Sequence, residues 1–283
     1  MVRMVQFCMG PAGSGKSTFC EALSRHVRSV QRGGCVLVNL DPAADEICYR
    51  PDVDIRDLVS LDDSLELRLG PNGGLVFCME YLSTHLSWLR DALNAAGPGD
   101  VEHFIVDCPG QIELYTHVKA LKIVIRALQS WGYTVCGTFL VDSAMVIGDI
   151  SKYLSAIMLA TSAMVQLEMP WVNVLSKVDL IPEEDAERFG DVDYGWVRRT
   201  LDDLNSQRRR TALVQRTHRL NNAVCSLLED FSMVKFLPLD ASDPDSVDSI
   251  LQEVDMITQY AEELEPKEPR DELAMDDDNN DEM

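Results

Sequence analysis

Short apolar runs alternate along the chain with longer stretches in which apolar positions recur at helical spacing. The apolar runs predict buried strands at Val2–Met9, Cys35–Leu40, His103–Val106, Val135–Val141, Trp171–Leu175 and Val234–Leu237. The periodic stretches predict helices at Ser17–Val30, Tyr81–Ala96, Thr116–Ser130, Ile150–Leu167, Thr211–Asp230 and Asp245–Glu263. Strands that are apolar on both faces and alternate with helices indicate a mostly parallel sheet covered on both sides. We therefore predict an α/β three-layer sandwich whose strands end at one common edge, where ligands bind.

Two segments interrupt this alternation within a single domain that is expected to span residues 1–265. Residues 45–74 are rich in Asp, Pro and Gly, which predicts an insertion that carries a special loop. Residues 183–219 form a charged, helical insertion, with six acids and one base over 183–193 and seven arginines and two acids over 198–219. The basic strip could dock an acidic partner, but a solvated helix pair neutralised by the neighbouring acids is favoured.

Composition narrows the possible partners. The net charge is −22, and it argues against a nucleic-acid surface as the main binding face. Residues 262–283 alone hold eleven acids and two bases, so residues 266–283 are predicted to form a disordered acidic tail. The eight cysteines form no C-x-x-C pair, which suggests neither a zinc site nor a disulfide framework and fits a reducing compartment.

Targeting signals are not evident in the sequence. The first residues run directly into a predicted strand, which does not fit a signal peptide. The longest uncharged run, Tyr153–Leu167, is too short to span a bilayer and predicts a buried helix. We expect a soluble, cytoplasmic protein with neither a membrane nor a nucleic acid as a direct partner.

The segment between the first strand and the first helix contains the clearest chemical motif. Its sequence GPAGSGKS, residues 10–17, matches the phosphate-binding pattern G-x-x-x-x-G-K-[ST]. Glycines allow backbone N–H groups and the positive end of a helix to surround one anion. The lysine adds a charge for the terminal phosphates, and the serine hydroxyl can bind Mg²⁺. The sequence thus predicts a nucleoside triphosphate site at Gly13, Ser14, Gly15, Lys16 and Ser17.

Acidic residues close two of the predicted strands. Asp107 follows the apolar run of the third core strand, as in phosphate-loop NTPases, whose acid orients Mg²⁺ through its water shell. Asp41 follows the second strand, where it could contact Mg²⁺ or an attacking water, or cap the turn that the next proline begins. The D-C-P-G-Q sequence after the third strand resembles the γ-phosphate-sensing turn of GTPases. There, Gly110 can offer its N–H to the γ-phosphate, and Gln111 and Glu113 follow within reach of an attacking water.

A third motif follows the strand Trp171–Leu175. The sequence Ser176-Lys177-Val178-Asp179 resembles the [NT]-K-x-D element with which GTPases recognise guanine. An aspartate carboxylate accepts two hydrogen bonds from guanine that adenine cannot offer. Lys177 can lay its stem over the base. Ser176 replaces the usual Asn or Thr, which weakens the supporting hydrogen bonds and keeps the residue that sets specificity.

These elements together resemble the GPN-loop GTPase family, named for a Gly-Pro-Asn motif that lies here at residues 70–72. The similarity extends from the first strand to about Glu268. Its most specific stretches are Asn39–Ala43, Gly70–Tyr81 and Asp107–His117. The chain is most similar to the third eukaryotic paralogue, with the second as the near alternative. By its residues alone, Pro-Asn-Gly would be an ordinary turn.

The resemblance implies a dimeric GTPase with Mg²⁺, in which the Gly-Pro-Asn loop of each subunit reaches into its neighbour's active site. The residues that it implies for the phosphates and Mg²⁺ are Lys16, Ser17, Thr18, Asp41 and Asp107. Those that it implies for organising the attacking water are Asp107, Gln111 and Glu113, and those for reading guanine are Lys177 and Asp179. Asn72 would contact the partner's phosphate or water.

The resemblance also implies a cellular role and leaves alternatives. The family is linked to the assembly and nuclear import of RNA polymerase II, so polymerase subunits and a paralogous GPN-loop subunit are expected partners. A homodimer and a heterodimer both stay open, as does shuttling to the nucleus. One alternative is a scaffold in which the nucleotide gates partner binding with little turnover. Another is a phosphate-loop kinase, which should carry an arginine-rich lid and no S-K-x-D after a strand.

Overall fold

The computed structural model of the chain describes residues 3–30, 34–44, 47–65, 68–97, 101–147, 149–182, 184, 197, 199–200, 219–220, 222–226 and 234–259. Its strands are β1 (Arg3–Met9), β2 (Gly34–Asn39), β3 (Val53–Asp54), β4 (Val101–Asp107), β5 (Tyr133–Asp142), β6 (Trp171–Ser176) and β7 (Phe236–Leu239). They form one sheet in the order β3-β2-β4-β1-β5-β6-β7, and every neighbouring pair is parallel. The predicted parallel α/β architecture is confirmed.

The helices cover both faces of this sheet. Those whose two ends both lie in the described residues are α1 (Lys16–Ser29), α2 (Leu61–Leu65), α3 (Pro71–Thr84), α4 (Leu86–Ala96), α5 (Glu113–Thr116), α6 (Ala120–Ser130), α7 (Ser143–Val146), α8 (Ile150–Leu167) and α9 (Pro244–Thr258). Alternate residues of β1 divide between two cores, because successive side chains of a strand point to opposite faces. Met4 and Cys8 pack with α1 and α9, while Val5, Phe7 and Met9 pack with α3, α4, α6 and α8. Strand β1 is thus packed against helices on both faces of the sheet.

Strand register brings the chemical motifs to one edge. Cys8 of β1 lies opposite Asp107 of β4, and Met9 lies opposite Phe139 of β5. Further out, Asn39 of β2 also pairs with Asp107. Because all these strands run in the same direction, the phosphate loop and the segments that follow β2, β4, β5 and β6 share that edge.

Residues 45–74, predicted as an insertion that carries a special loop, also contain regular secondary structure. This segment is not simply a loop, because it contains β3, a single 3₁₀ turn at Ile55–Asp57, α2 and the start of α3. Pro71 occupies the first turn of α3, where its missing N–H and fixed φ favour a helix, and Gly74 N donates to Gly70 O at 2.8 Å. The Gly-Pro-Asn motif is therefore a helix N-terminus.

Helix boundaries differ elsewhere too. The single helix predicted over Tyr81–Ala96 is two helices, α3 and α4, which meet at His85. The helix predicted over Thr116–Ser130 begins later in the structure, as α6 at Ala120, and Thr116 is instead the last residue of α5. The prediction for Ile150–Leu167 agrees with α8, the one described helix long and apolar enough to cross a membrane, and seven of its residues are buried in the protein core.

Some predictions fall mainly outside the described residues. They are the charged insertion 183–219, the helix at 211–230 and the acidic tail 266–283. The predicted domain boundary at residue 265 also lies outside the described residues. All four therefore remain predictions.

Candidate active site

The phosphate loop begins where β1 ends and closes where α1 starts. Three of its glycines have positive φ: Gly10 at 143°, Gly13 at 79° and Gly15 at 87°. At Gly10 the need for glycine is also steric, because a Cβ there would overlap the carbonyl oxygen of Leu140 in the neighbouring strand β5. The ammonium of Lys16 donates to Pro11 O at 3.1 Å, and this lysine is 8% exposed. The loop is therefore a preformed cradle.

Asp107 lies at the centre of the hydrogen bonds around this loop. Its Oδ2 accepts from the Ser17 hydroxyl at 2.6 Å and from the Tyr49 hydroxyl at 3.0 Å. Burial raises the pKa of Asp107 above its usual value, while the hydrogen bonds from Ser17 and Tyr49 and the charge of Lys16 oppose that rise. Burial also raises the pKa of Tyr49 far above its ordinary value, and the charge of Asp107 adds to this effect. The Tyr49 hydroxyl therefore keeps the proton that it donates to Asp107.

Two buried polar atoms in this region have no hydrogen-bond partner among the described residues. They are Asp107 Oδ1 and Ser14 Oγ. Buried polar groups are usually paired, so orphaned atoms beside a phosphate loop fit groups that a ligand supplies. Within the described ranges, no group of three or more His, Cys, Asp or Glu side chains is arranged so that it could hold a metal ion by itself. Mg²⁺ does not need such a group, because it is usually bound through one or two carboxylates and completes its shell with water and phosphate oxygens. The donor set therefore fits Mg²⁺ with a nucleotide.

Asp41 lies at the same edge, and its carboxylate caps a turn. Asp41 Oδ1 accepts from Ala43 N at 2.9 Å, and Asp41 N donates to Asn39 Oδ1 at 3.0 Å. The charge of Asp41 also contributes to raising the pKa of Asp107, so the two carboxylates interact. The turn-capping role is thus observed, and the role of Asp41 beside a metal stays a prediction.

The segment after β4 places Gly110 against the phosphate loop. A Cβ at Gly110 would lie 2.9 Å from Ala12 Cα, so glycine is needed for this close approach. Gln111 Nε2 donates to Asn72 Oδ1 at 3.2 Å, which brings the Gly-Pro-Asn motif beside the segment after β4 within one chain. Glu113 is exposed at the start of α5.

Residues 176–179, predicted to recognise guanine and called the guanine element below, are joined directly to the phosphate loop. The Ser176 hydroxyl lies 2.7 Å from Ser14 O and 3.1 Å from Val141 O. The Lys177 ammonium donates to Gly13 O at 2.7 Å. Asp179 is exposed in the short 3₁₀ turn Val178–Leu180 that follows. Serine therefore provides a support at position 176 in place of Asn or Thr.

The structure adds site residues that the sequence reasoning missed. Tyr49 contacts Asp107 from a segment with no recognisable motif, so no sequence signal pointed to it. Asp142 accepts from Lys177 Nζ at 2.7 Å. A signal existed for Asp142, because FLVD closes β5 as FIVD closes β4 with Asp107.

Comparison with known proteins gives the family. A family described as "Conserved hypothetical ATP binding protein" matches residues 8–260. GPN-loop GTPase 3 of Dictyostelium discoideum is 45% identical over 274 residues, which cover 95% of this chain and 92% of that protein. GPN-loop GTPase 3 of Eremothecium gossypii is 46% identical over 283 residues, which cover 98% of this chain and all of that protein. The chain belongs to the GPN-loop GTPase family.

The resemblance to the third paralogue is thereby confirmed, and the chain is a GTP hydrolase. Among solved structures, the apo form of a GTPase from Pyrococcus abyssi superposes with a TM-score of 0.69 at 21% identity. That similarity covers 91% of this chain and 97% of the archaeal one, and it supports the fold.

Proposed function

We propose that this GPN-loop GTPase binds GTP with Mg²⁺ across the shared edge of its sheet and hydrolyses it to GDP. The observation that carries the proposal is the hydrogen-bonded contact between the phosphate loop and the guanine element, through Lys177 and Gly13 at 2.7 Å. That contact fixes a base site and a phosphate site relative to each other. The bound Mg²⁺, held by Ser17, Asp107 and Asp41, would neutralise charge on the terminal phosphates.

The chain's own residues then supply positioning and fixed dipoles. The phosphate-loop residues Gly13, Ser14, Gly15, Lys16, Ser17 and Thr18 hold the triphosphate. Lys16 offsets its charge, and the N–H of Gly110 donates to the γ-phosphate. Gln111 and Glu113 orient the attacking water beside Asp107. Phosphoryl transfer depends mainly on positioning and electrostatic stabilisation, so these roles suffice for hydrolysis without a covalent intermediate.

Base identity is the first test. If Asp179 accepts two hydrogen bonds from guanine, GTP should bind well above ATP, and Asp179→Asn should lose GTP affinity and gain xanthosine triphosphate. The loss should be a few kcal/mol, because buried polar groups are left unpaired. Titration with fluorescent nucleotides measures both effects. Equal binding of GTP and ATP by the wild type would contradict guanine recognition.

We further propose that the protein acts as a dimer in which Asn72 serves the neighbouring site. Gly70, Pro71 and Asn72 are exposed at the start of α3, beside the catalytic edge. An exposed helix start with a proline and flanking glycines can bring polar groups close to another subunit's phosphate. The contact between Asn72 and Gln111 within one chain allows the opposite reading as well, in which the loop acts in its own subunit.

Mixing two inactive variants separates these readings. Asn72→Ala should bind GTP and hydrolyse it slowly, whereas Lys16→Ala should fail to bind GTP and still present an intact loop. If the loop serves the neighbour, a mixed dimer combines one sound pocket with one sound loop, and activity should return to at most about half of the wild-type sites. If the native assembly is a heterodimer, the paralogous subunit replaces one variant. No recovery in either arrangement, with dimers verified by size, would show that the loop acts within its own subunit or not at all.

The cellular proposal rests on the family resemblance. We propose that the protein is cytoplasmic, shuttles to the nucleus, and assists assembly and import of RNA polymerase II through contact with polymerase subunits. Partner affinity measured with GTP and with GDP bound tests the related scaffold alternative. A switch should show a large difference between the two nucleotides, whereas equal affinities would indicate hydrolysis without gating.

A further inference from the structure

The end of β5 lies beside the guanine element. Asp142, the last residue of β5, is opposite Ser176, the last residue of β6. Parallel pairing therefore places the next residues, Ser143 and Lys177, side by side beyond the sheet. Two sequence segments more than thirty residues apart thus meet at the phosphate loop.

The adjacent residues Asp142 and Ser143 contact Lys177 at its side-chain ammonium and at its backbone carbonyl. Asp142 Oδ2 accepts from the Lys177 ammonium at 2.7 Å, and the fully buried Ser143 donates its hydroxyl to Lys177 O at 2.9 Å. The Asp142 side chain is 13% exposed and that of Lys177 is 36% exposed, so the ion pair is partly shielded from water. Shielded pairs with good geometry hold their partners better than pairs on the open surface.

Lys177 needs such support because its backbone is left-handed. Its φ is 60° and its ψ is 39°, a conformation that costs a residue with a Cβ free energy. Strained backbone persists where surrounding contacts over-determine it. The stem of Lys177 also runs across the loop, since a Cβ at Gly15 would lie 3.9 Å from its Cε.

We infer that Asp142 and Ser143 are positioning residues for guanine recognition, and that they fix Lys177, and through it Asp179, before the nucleotide arrives. If Lys177 and Asp179 are already held in place, less conformational entropy is lost when the nucleotide binds. The nucleotide affinity should therefore be higher with these contacts than without them. The inference rests on the proposed reading of guanine by Asp179.

Asp142 also has a structural task that must be separated from this one. Its Oδ1 accepts from Ala144 N at 2.9 Å and so caps α7. An asparagine keeps a cap oxygen and loses the negative charge that holds the ammonium. Asp142→Asn therefore tests the contact with Lys177, whereas Asp142→Ala removes both functions.

Titration of fluorescent GDP and ADP into the full-length protein tests the inference. Asp142→Asn and Ser143→Ala should each weaken GDP binding by about tenfold and change ADP binding by less than about twofold, so that discrimination falls. The matched control is Asp149→Asn, since Asp149 Oδ1 caps α8 by accepting from Ser151 N at 3.0 Å. This control should leave both affinities unchanged.

The outcomes distinguish the two proposals. A wild type that binds GDP and ADP equally would contradict guanine recognition itself. If the wild type discriminates and Asp142→Asn does so equally well, the positioning role is wrong. If Asp142→Ala melts at a lower temperature while Asp142→Asn keeps its GDP affinity, Asp142 only caps α7. A melting temperature of the nucleotide-free Asp142→Asn protein near that of the wild type shows that the variant is folded.

Discussion

Gly110 faces the phosphate loop at a distance that leaves no room for a side chain. In Gly110→Ala, the new Cβ would lie 2.9 Å from Ala12 Cα, 3.0 Å from Ala12 N and 3.1 Å from Ala12 Cβ. Carbon atoms pack best at about 3.5–4.0 Å, so one segment must move by roughly half an ångström. Two of these neighbours are backbone atoms and the third is an alanine Cβ, so none of them can rotate away. Tyr115 also ties the turn in place, because its hydroxyl donates to Pro109 O.

The size of the effect follows from this geometry. Forcing an extra methyl group into packed surroundings costs about 1–3 kcal/mol. For a domain of this size, each kcal/mol corresponds to a fall in melting temperature of about 2–4 °C. If the displaced segment is the phosphate loop, nucleotide binding must push it back. The same free energy is then lost from binding, which weakens GDP affinity by roughly 5- to 150-fold.

Thermal unfolding without nucleotide and titration with fluorescent GDP measure the two parts. The matched control is Gly73→Ala in α3, where the new Cβ would lie 3.5 Å from Leu69 Cβ, an ordinary contact. Alanine is a better helix former than glycine, so this control should be stable or slightly stabilised. A Gly110→Ala protein that melts and binds GDP as the wild type does would refute the reasoning, because the close approach would then not constrain the loop.

Three further substitutions test other features of the structure. Tyr49→Phe removes a donor to the buried carboxylate of Asp107, so urea unfolding of the nucleotide-free protein should show a loss of about 1–3 kcal/mol, and an unchanged midpoint would contradict that hydrogen bond. Burial raises the pKa of Asp54, but hydrogen bonds from Arg56 outweigh it and leave this pKa below its usual value. Asp54→Asn should therefore lower the free energy of unfolding near neutral pH. This difference in unfolding free energy from the wild type should shrink as pH falls through the lowered pKa of the folded state, because a carboxylate with a lowered pKa stabilises the fold only while it is ionised. A difference that does not depend on pH would contradict this. Gln259 directly follows α9 and has a φ of 54°, so Gln259→Gly should raise the melting temperature by a few degrees, and a fall would show that its side chain matters more than its backbone.

In the Gly-Pro-Asn segment, the local sequence favours a turn, whereas the structure has the start of helix α3. Pro-Asn-Gly-Gly is typical of a turn, and two glycines cost a helix roughly 1 kcal/mol each. Contacts from elsewhere in the chain reverse that preference. Gly74 lies so close to α2 that a Cβ would be 2.5 Å from Ser64 Oγ, and the buried residues Leu75, Cys78, Met79 and Leu82 anchor α3 in the core. Packing outweighs helix propensity here.

The sequence alone was sufficient for the alternating α/β order, the phosphate loop, Asp107 and the S-K-x-D element. Each of these is written in contiguous residues, because buried parallel strands are unbroken apolar runs and the motifs occupy a few consecutive positions. The tertiary structure decided which strands are neighbours, and therefore which distant side chains meet. Tyr49 reaches Asp107 across 58 residues, and Asp142 reaches Lys177 across 35. Strand order and register create such contacts, and no local pattern of residues encodes them.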